Sequence, residues 1–280
     1  MRGKKMIKTI VPESATLRKH IAYFYVFTIE DINSLRYITF PHSYSCIFFL
    51  KGVNISRDNH AIHLLHTENS KEQVSVEITG KYTQPVSLNY EGEFDEISII
   101  FKPLGVNCFF NKDLIEYAPL FSQPLNLTHW QSFAEELFQE NNLSKRIEKL
   151  ESFLLDNLCE KEDHSIKKAL SLIEDIEKDY SIQEIADQCG LTLKTFQRNF
   201  KKLVTCTPSE YKRIVRFRHS ITNKMLQEIS LKLTDIAYES NYYDQSYFIK
   251  EYKKLTGTKP NAFFNSVRIL TEEKVIWQLK

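Results

Sequence analysis

A segment near the C-terminus occurs twice, and that repeat limits the fold more than any other feature of the chain. Ile185-Ala186 returns as Ile236-Ala237 at an offset of 51. Phe196, Phe200, Leu203 and Pro208 return as Phe248, Tyr252, Leu255 and Pro260 at an offset of 52, so the second copy carries one extra residue in its turn. Each copy reads as a helix (Ile182–Cys189; Leu233–Ser240), a short turn and a second helix (Leu193–Leu203; Asp244–Leu255). Small Ala186 and Ala237 let the paired helices cross closely. Gly190 and Asn241 stand where the first helix must end, and Gly and Asn are the residues that best tolerate a left-handed backbone.

On each second helix the apolar residues recur at i, i+4 and i+7, which gives one buried stripe: Phe196/Phe200/Leu203, and Phe248/Tyr252/Leu255. The opposite faces carry Lys194, Gln197, Arg198 and Lys201 in one copy, and Gln245, Ser246 and Lys250 in the other. Amide and guanidinium groups suit base edges in a major groove, and ammonium groups suit phosphates. Between the copies, Thr207-Pro208-Ser209-Glu210 supplies an N-cap, a proline at the first helical position and a capping-box glutamate. The spacing predicts a linker helix from there to about Leu226, roughly 28 Å long at 1.5 Å per residue. A spacer of that length holds two recognition helices about one DNA turn apart, roughly 34 Å. Its Lys212, Arg213, Arg216 and Arg218 are expected to position the protein by charge, some of them facing the units instead; Arg213 and Arg216 join the candidate DNA contacts.

Charge agrees with this division. The 280 residues carry a net +1, but from His164 onward there are 20 Lys+Arg against 14 Asp+Glu, and the remainder is net −5. A basic segment of this kind suits a polyanionic partner.

These C-terminal residues resemble the AraC-type family of bacterial transcription regulators over about residues 166–268. The most specific piece is Ile236-Ala-Tyr-Glu-Ser-Asn-Tyr-Tyr-Asp-Gln-Ser-Tyr-Phe-Ile-Lys-Glu-Tyr-Lys-Lys-Leu-Thr-Gly-Thr-Lys-Pro260. The resemblance implies two helix-turn-helix units joined by a linker helix, with Lys194, Gln197 and Arg198, and Gln245, Ser246 and Lys250, at the recognition positions. Asn241 and Thr205 stand where the family usually has Gly, which implies strained turns. Tyr242, Tyr243 and Tyr247 are expected to pack rather than to stack on bases.

Upstream, aromatic and β-branched runs predict strands at Ile21–Ile29, Ser45–Leu50, Val74–Ile78 and Glu96–Phe101. Apolar residues at helical spacing predict helices over Ser132–Gln139, Leu143–Leu158 and Ile166–Asp179. Cys159-Glu-Lys-Glu-Asp-His164 is the expected linker. The fold class is therefore α+β, in three parts: a β-rich domain (1–110), a helical connector (111–163) and an all-α tandem reader (164–280). Ile21–Val26, Phe40-Pro41-His42 to Phe48, Ile78-Thr-Gly-Lys81 and Ile99–Gly105 more faintly resemble the domain that accompanies this reader in one branch of the family. That resemblance implies a cupin-like scaffold that senses a small molecule or forms a homodimer. It implies double-stranded operator DNA as partner, and RNA polymerase if the protein activates; activation and repression both stay open. A constitutive DNA-binding factor, whose N-terminal domain only dimerises, is the alternative.

Other classes are disfavoured. Five scattered cysteines without a C-x-x-C pair fit neither a disulfide framework nor a cysteine zinc site, and so do not fit a zinc-dependent DNA alkyl-transfer repair protein. There is no Gly-x-Ser-x-Gly and no phosphate-binding glycine loop, so neither catalysis nor a cofactor is expected. RNP-type strand motifs are missing, which disfavours RNA. No run is long and apolar enough for a membrane span and no cleavable leader is visible, so the cytoplasm is expected, without a membrane partner. His60, His63 and His66 could converge on a metal only on a helix; a polar loop without metal is the expected reading. His42 either lines a pocket or caps a strand.

Overall fold

A computed structural model describes residues 4–30, 34–58, 60–159, 161, 163–226, 233–269 and 276–279. Glu160 and Glu162 of the expected linker, and Glu228 and Lys232 of the basic segment, lie outside the described residues.

The N-terminal part is built from β1 (Lys4–Ile10), β2 (Ile21–Glu30), β3 (Leu35–Thr39), β4 (Ser45–Lys51), β5 (Asn54–Arg57), β6 (Ala61–Leu65), β7 (Val74–Thr79), β8 (Val86–Glu91) and β9 (Phe94–Phe101). These are followed by α1 (Leu114–Tyr117), β10 (Gln123–Pro124), α2 (Thr128–Leu137) and α3 (Leu143–Asp156). One sheet runs β1-β2-β9-β4-β7-β10. All its pairs are antiparallel. The second sheet faces it, and there β6 and β8 pair in parallel.

The first sheet is buried on both sides, which is why β2 and β4 read as nearly continuous apolar runs. Tyr23, Tyr25, Phe27 and Ile29 of β2 face the second sheet's Tyr37, Leu88 and Tyr90. Phe24 and Val26 point the other way, onto Trp130 of α2 and Leu150 and Leu154 of α3. Trp130 stacks on Phe49 at 6.1 Å and meets Phe153 edge-on at 5.1 Å. The helices expected as a connector therefore share one core with the sheet.

The strands expected from the sequence are present, each within two residues of its expected bounds. Two expectations are corrected. The His60–His66 segment is not a loop: it contains β6, which puts His63 on an exposed face of the sheet beside Asp58 and turns His66 Nδ1 to the Gly52 carbonyl at 2.6 Å. The C-terminal part is also not purely helical.

That part comprises α4 (His164–Glu174), α5 (Ile182–Gln188), α6 (Leu193–Val204), α7 (Pro208–Leu226), α8 (Leu233–Glu239), α9 (Gln245–Thr256) and α10 (Pro260–Ser266). Two short strands follow, β11 (Arg268–Ile269) and β12 (Ile276–Leu279). β12 pairs antiparallel with β3, Gln278 opposite Ile38 and Leu279 opposite Tyr37, so the second sheet runs β11-β12-β3-β8-β6-β5. The second helical unit is thereby sewn to the first domain. Ile38 and Phe40 share a core with Phe217, Ile236, Phe248 and Tyr252, and Phe40 meets Phe263 edge-on at 4.9 Å.

Among the described residues, no helix is long and apolar enough to cross a membrane.

Candidate nucleic-acid interface and a polar cavity

The two units are built alike. α5 opens on a reciprocal Ser181/Glu184 capping box, and α6 is capped by Thr192. Asp244 caps α9 by accepting from Tyr247 N at 2.7 Å, so Ser246 is an exposed helix residue and not the cap. Phe196 and Phe200 are fully buried in the first unit, as are Phe248, Tyr252 and Leu255 in the second. Lys194, Gln197, Arg198 and Lys201 are exposed on α6, and Gln245, Ser246 and Lys250 on α9. Each recognition helix thus turns its long polar side chains outward, as the apolar period demands.

α7 has the expected 19 residues. Its start is fixed by Thr207 N donating to Glu210 Oε2 at 2.8 Å and Glu210 N donating to Thr207 Oγ1 at 3.2 Å.

Three of its cations, Lys212, Arg213 and Arg216, are paired within the fold. Arg213 Nε donates to the Glu251 carboxylate of α9, and Arg216 donates to Asp179. Lys212 holds Asp179 at 2.7 Å as well as the Tyr180 carbonyl. Burial pushes the Asp179 carboxyl up, but Lys212 and Arg216 outweigh it and hold it below its ordinary value. The physical reason is position: the apolar residues Ile214, Phe217 and Ile221 draw α7 into the groove between the units. Cations one residue away then meet carboxylates, not solvent.

Tyr243 is a correction. It is 91% exposed at the turn before α9, and Tyr238 is 67% exposed, whereas Tyr242 is buried against Phe248. No sequence period marks Tyr243 as exposed, because turns have none.

The turns expected to be strained are. Asn241 has φ of 53° and Thr205 of 69°, a region costly for a β-branched residue. Each side chain makes a compensating bond: Asn241 Nδ2 donates to the Ile176 carbonyl, and Thr205 Oγ1 accepts from Lys81 N at 2.7 Å across the domain junction. Thr205→Ala should therefore cost about 1–3 kcal/mol, because the Lys81 amide loses its acceptor while the strain remains. Thr205→Gly should cost less, since glycine relieves the strain. Urea unfolding of the two variants decides; equal losses would mean the strain is not released by glycine.

A cavity of about 160 Å³ lies between the two sheets, lined among others by Tyr23, Tyr37, Tyr82, Glu96, Ser98 and Arg218. Glu96 is 1% exposed. It accepts from Tyr90 Oη at 2.9 Å and Ser98 Oγ at 2.6 Å. Burial lifts its carboxyl to about 7 against those two bonds. Arg218 comes from α7: its Nε and Nη2 donate to the Pro41 and Phe40 carbonyls, each at 2.7 Å. Burial draws the guanidinium down to about 10, so it stays charged at neutral pH. His42 lines the same cavity. Burial, and then Arg218 and Lys81, hold it well below its ordinary value, so it is neutral. Arg218, expected among the charge-positioning residues of the linker helix, thus belongs to the cavity. Among the described residues, no three His, Cys, Asp or Glu side chains are grouped as metal ligands.

Comparison with known proteins finds a family match in the second of the two units. Residues 226–265 match the model for bacterial regulatory helix-turn-helix proteins of the AraC family. Residues 8–119 match a domain of unknown function, DUF6597. No curated protein matches the chain. Among solved structures, the chain is similar to ToxT from Vibrio cholerae, at 14% identity and a TM-score of 0.46, covering 86% of this chain and 97% of that one. The C-terminal domain of AraT, a response regulator from Geobacillus stearothermophilus, is similar at 20% identity and 0.35, covering 39% and 90%. The DNA-binding domain of AdpA, a global transcriptional factor solved with a target DNA, is similar at 14% and 0.33, covering 36% and 90%. A β-rich N-terminal domain thus precedes a helical C-terminal part, and within that part residues 226–265 carry the helix-turn-helix segment of the AraC-family model.

Proposed function

We propose that this protein is a sequence-specific transcription regulator that reads two adjacent major-groove segments with α6 and α9, under the control of a small molecule held between its two sheets. One observation carries the DNA reading: both recognition helices leave their long polar side chains exposed, opposite fully buried aromatic stripes. The length of α7, about 28 Å, suits units set roughly one DNA turn apart. Lys194 and Lys201, and Lys250 in the second unit, supply phosphate contacts, while Gln197 and Ser246 flank the base-reading positions. The bond from Arg218 to the β3 end of the N-terminal domain favours effector control over a domain that only dimerises, because a cavity ligand can then act on the linker helix directly.

Arg198 and Gln245 are the assigned base readers. Arginine suits the two acceptors of guanine and glutamine the donor–acceptor pair of adenine, each about 1–3 kcal/mol of discrimination. Binding-site selection at fixed salt tests this. Arg198→Ala should relax preference at one or two base pairs, and Gln245→Ala at others about one helical turn away. Full wild-type preference in both variants sinks the base-reading assignment. Loss at the same positions in both sinks the two-segment geometry.

A further inference from the structure

We propose that the ligand of the inter-sheet cavity is a small zwitterion whose two charges stand apart, its ammonium against Glu96 and its anionic group against Arg218. This rests on the reading of the cavity as an effector site and names the chemistry of that site.

The cavity has two charged poles. Glu96 is buried, and its two partners, Tyr90 and Ser98, are neutral hydroxyls. Arg218 donates two of its five N–H groups, and both acceptors are backbone carbonyls. Among the described residues, neither has an oppositely charged partner, although both line one cavity. Buried charges are costly unless paired: burial answers that cost at Glu96 by lifting the carboxyl towards neutrality, and at Arg218 two carbonyls meet part of it, so an opposite charge at each pole favours both ionised forms. The Arg57–Glu77 pair shows the usual solution within this same domain.

The walls fit an ammonium at the Glu96 pole, where Tyr25, Tyr37 and Phe48 present aromatic rings. The poles also set the ligand's length. Tyr37 Oη is within hydrogen-bonding distance of Tyr90 Oη, beside Glu96, and Arg218 is held at the Phe40 carbonyl, three residues further along the chain. Neither Glu96 nor Arg218 is among the groups that shift the other, so the two poles stand apart within the cavity. An α-amino acid, with both charges on one carbon, cannot span them, whereas an ω-amino acid or a compact dipeptide can. A cavity of about 160 Å³ is close to the roughly 150 Å³ that holds benzene, so the occupant is small. Because burial lifts Glu96 to about 7, an ammonium that favours the carboxylate also displaces a proton just below neutrality. Tyr25, Tyr37 and Tyr90, which face Glu96 from β2, β3 and β8, are raised well above their ordinary values and stay neutral there. His42 stays neutral, and Lys81, drawn down to about 8 by burial, keeps most of its charge.

The test is calorimetric titration of the full-length protein with 6-aminohexanoate and its shorter and longer homologues, then with hexanoate and with hexylamine. The best zwitterion should bind at least about tenfold more tightly than either singly charged compound. Just below neutral pH its binding heat should vary with buffer ionisation in the sense of proton release. Glu96→Gln should bring its affinity down to that of hexanoate. Equal or tighter binding of hexanoate or hexylamine overturns the proposal, as does a zwitterion series that does not bind. A parallel thermal-shift screen of neutral and singly charged compounds separates the two readings. A hit there that is lost on filling the cavity with Ile100→Trp keeps the effector site and removes the zwitterion. The absence of any ligand in both experiments removes both.

Discussion

Arg213→Ala is expected to destabilise the protein by about 3–5 kcal/mol while leaving the salt dependence of DNA binding unchanged. The Glu251 partner is 7% exposed, and Arg213 Nε donates directly to its carboxylate. Removing the guanidinium strands a carboxylate between α7 and α9, on the second recognition helix itself, and such an unpaired buried charge costs far more than the net worth of the pair. The double variant Arg213→Met with Glu251→Leu should recover most of the loss, since apolar residues of similar size carry no desolvation cost. A phosphate contact predicts the reverse pattern: near-normal stability, and a slope of log affinity against log salt that is shallower by about 0.9. Denaturant unfolding and a salt titration on the same variant distinguish the two. Unchanged stability together with a flattened slope would return Arg213 to the DNA interface.

This residue marks where the sequence stops being readable. The basic stretch of α7 looks like a DNA-facing surface because charge counts carry no direction, and Asp179 and Glu251 lie 34 and 38 positions away from Arg213. The outer faces of α6 and α9 were legible for the opposite reason: Phe196/Phe200 and Phe248/Tyr252 fix which way each helix turns, so the exposure of Arg198 and Gln245 follows from period alone. Strands β2, β4 and β9 were legible because burial on both faces leaves long apolar runs. β6 was not, since three histidines in seven residues hide Ala61, Ile62 and Leu64, the residues that bury it. β12 had no local signal at all, because its partner β3 lies some 240 residues earlier. Glu96 was misleading in a more useful way. In Glu-Ile-Ser-Ile-Ile-Phe, the polar alternation suggests a solvent face, yet the Ile97/Ile99 face packs on helices and the Glu96/Ser98 face turns inward among tyrosines.

Glu96→Gln should stabilise the protein above neutral pH, by about 3 kcal/mol near pH 8, and leave it within about 1 kcal/mol of wild type near pH 5. The sign follows from proton binding. Burial lifts the folded carboxyl from 4.5 to about 7, so across that window the folded chain keeps a proton that the unfolded chain releases. Stability contributed by the protonated group is therefore fully present below the unfolded value and is lost as pH rises through the folded one. Glutamine stays neutral throughout, so its advantage opens over the same window. Its amide can still accept from Ser98 and donate to Tyr90, whose own hydroxyl then turns to Tyr37 3.2 Å away. Lys81, drawn down to about 8 by burial, and neutral His42 titrate alike in both proteins and cancel in the difference. Unfolding free energies measured at several pH values give that difference directly. A variant less stable than wild type by a constant amount at every pH would mean that Tyr90 and Ser98 hold an ionised carboxylate, and that burial does not control it. A gap that opens with pH makes Glu96 a carboxyl that burial keeps protonated below about pH 7, ready to ionise when a cation arrives beside it.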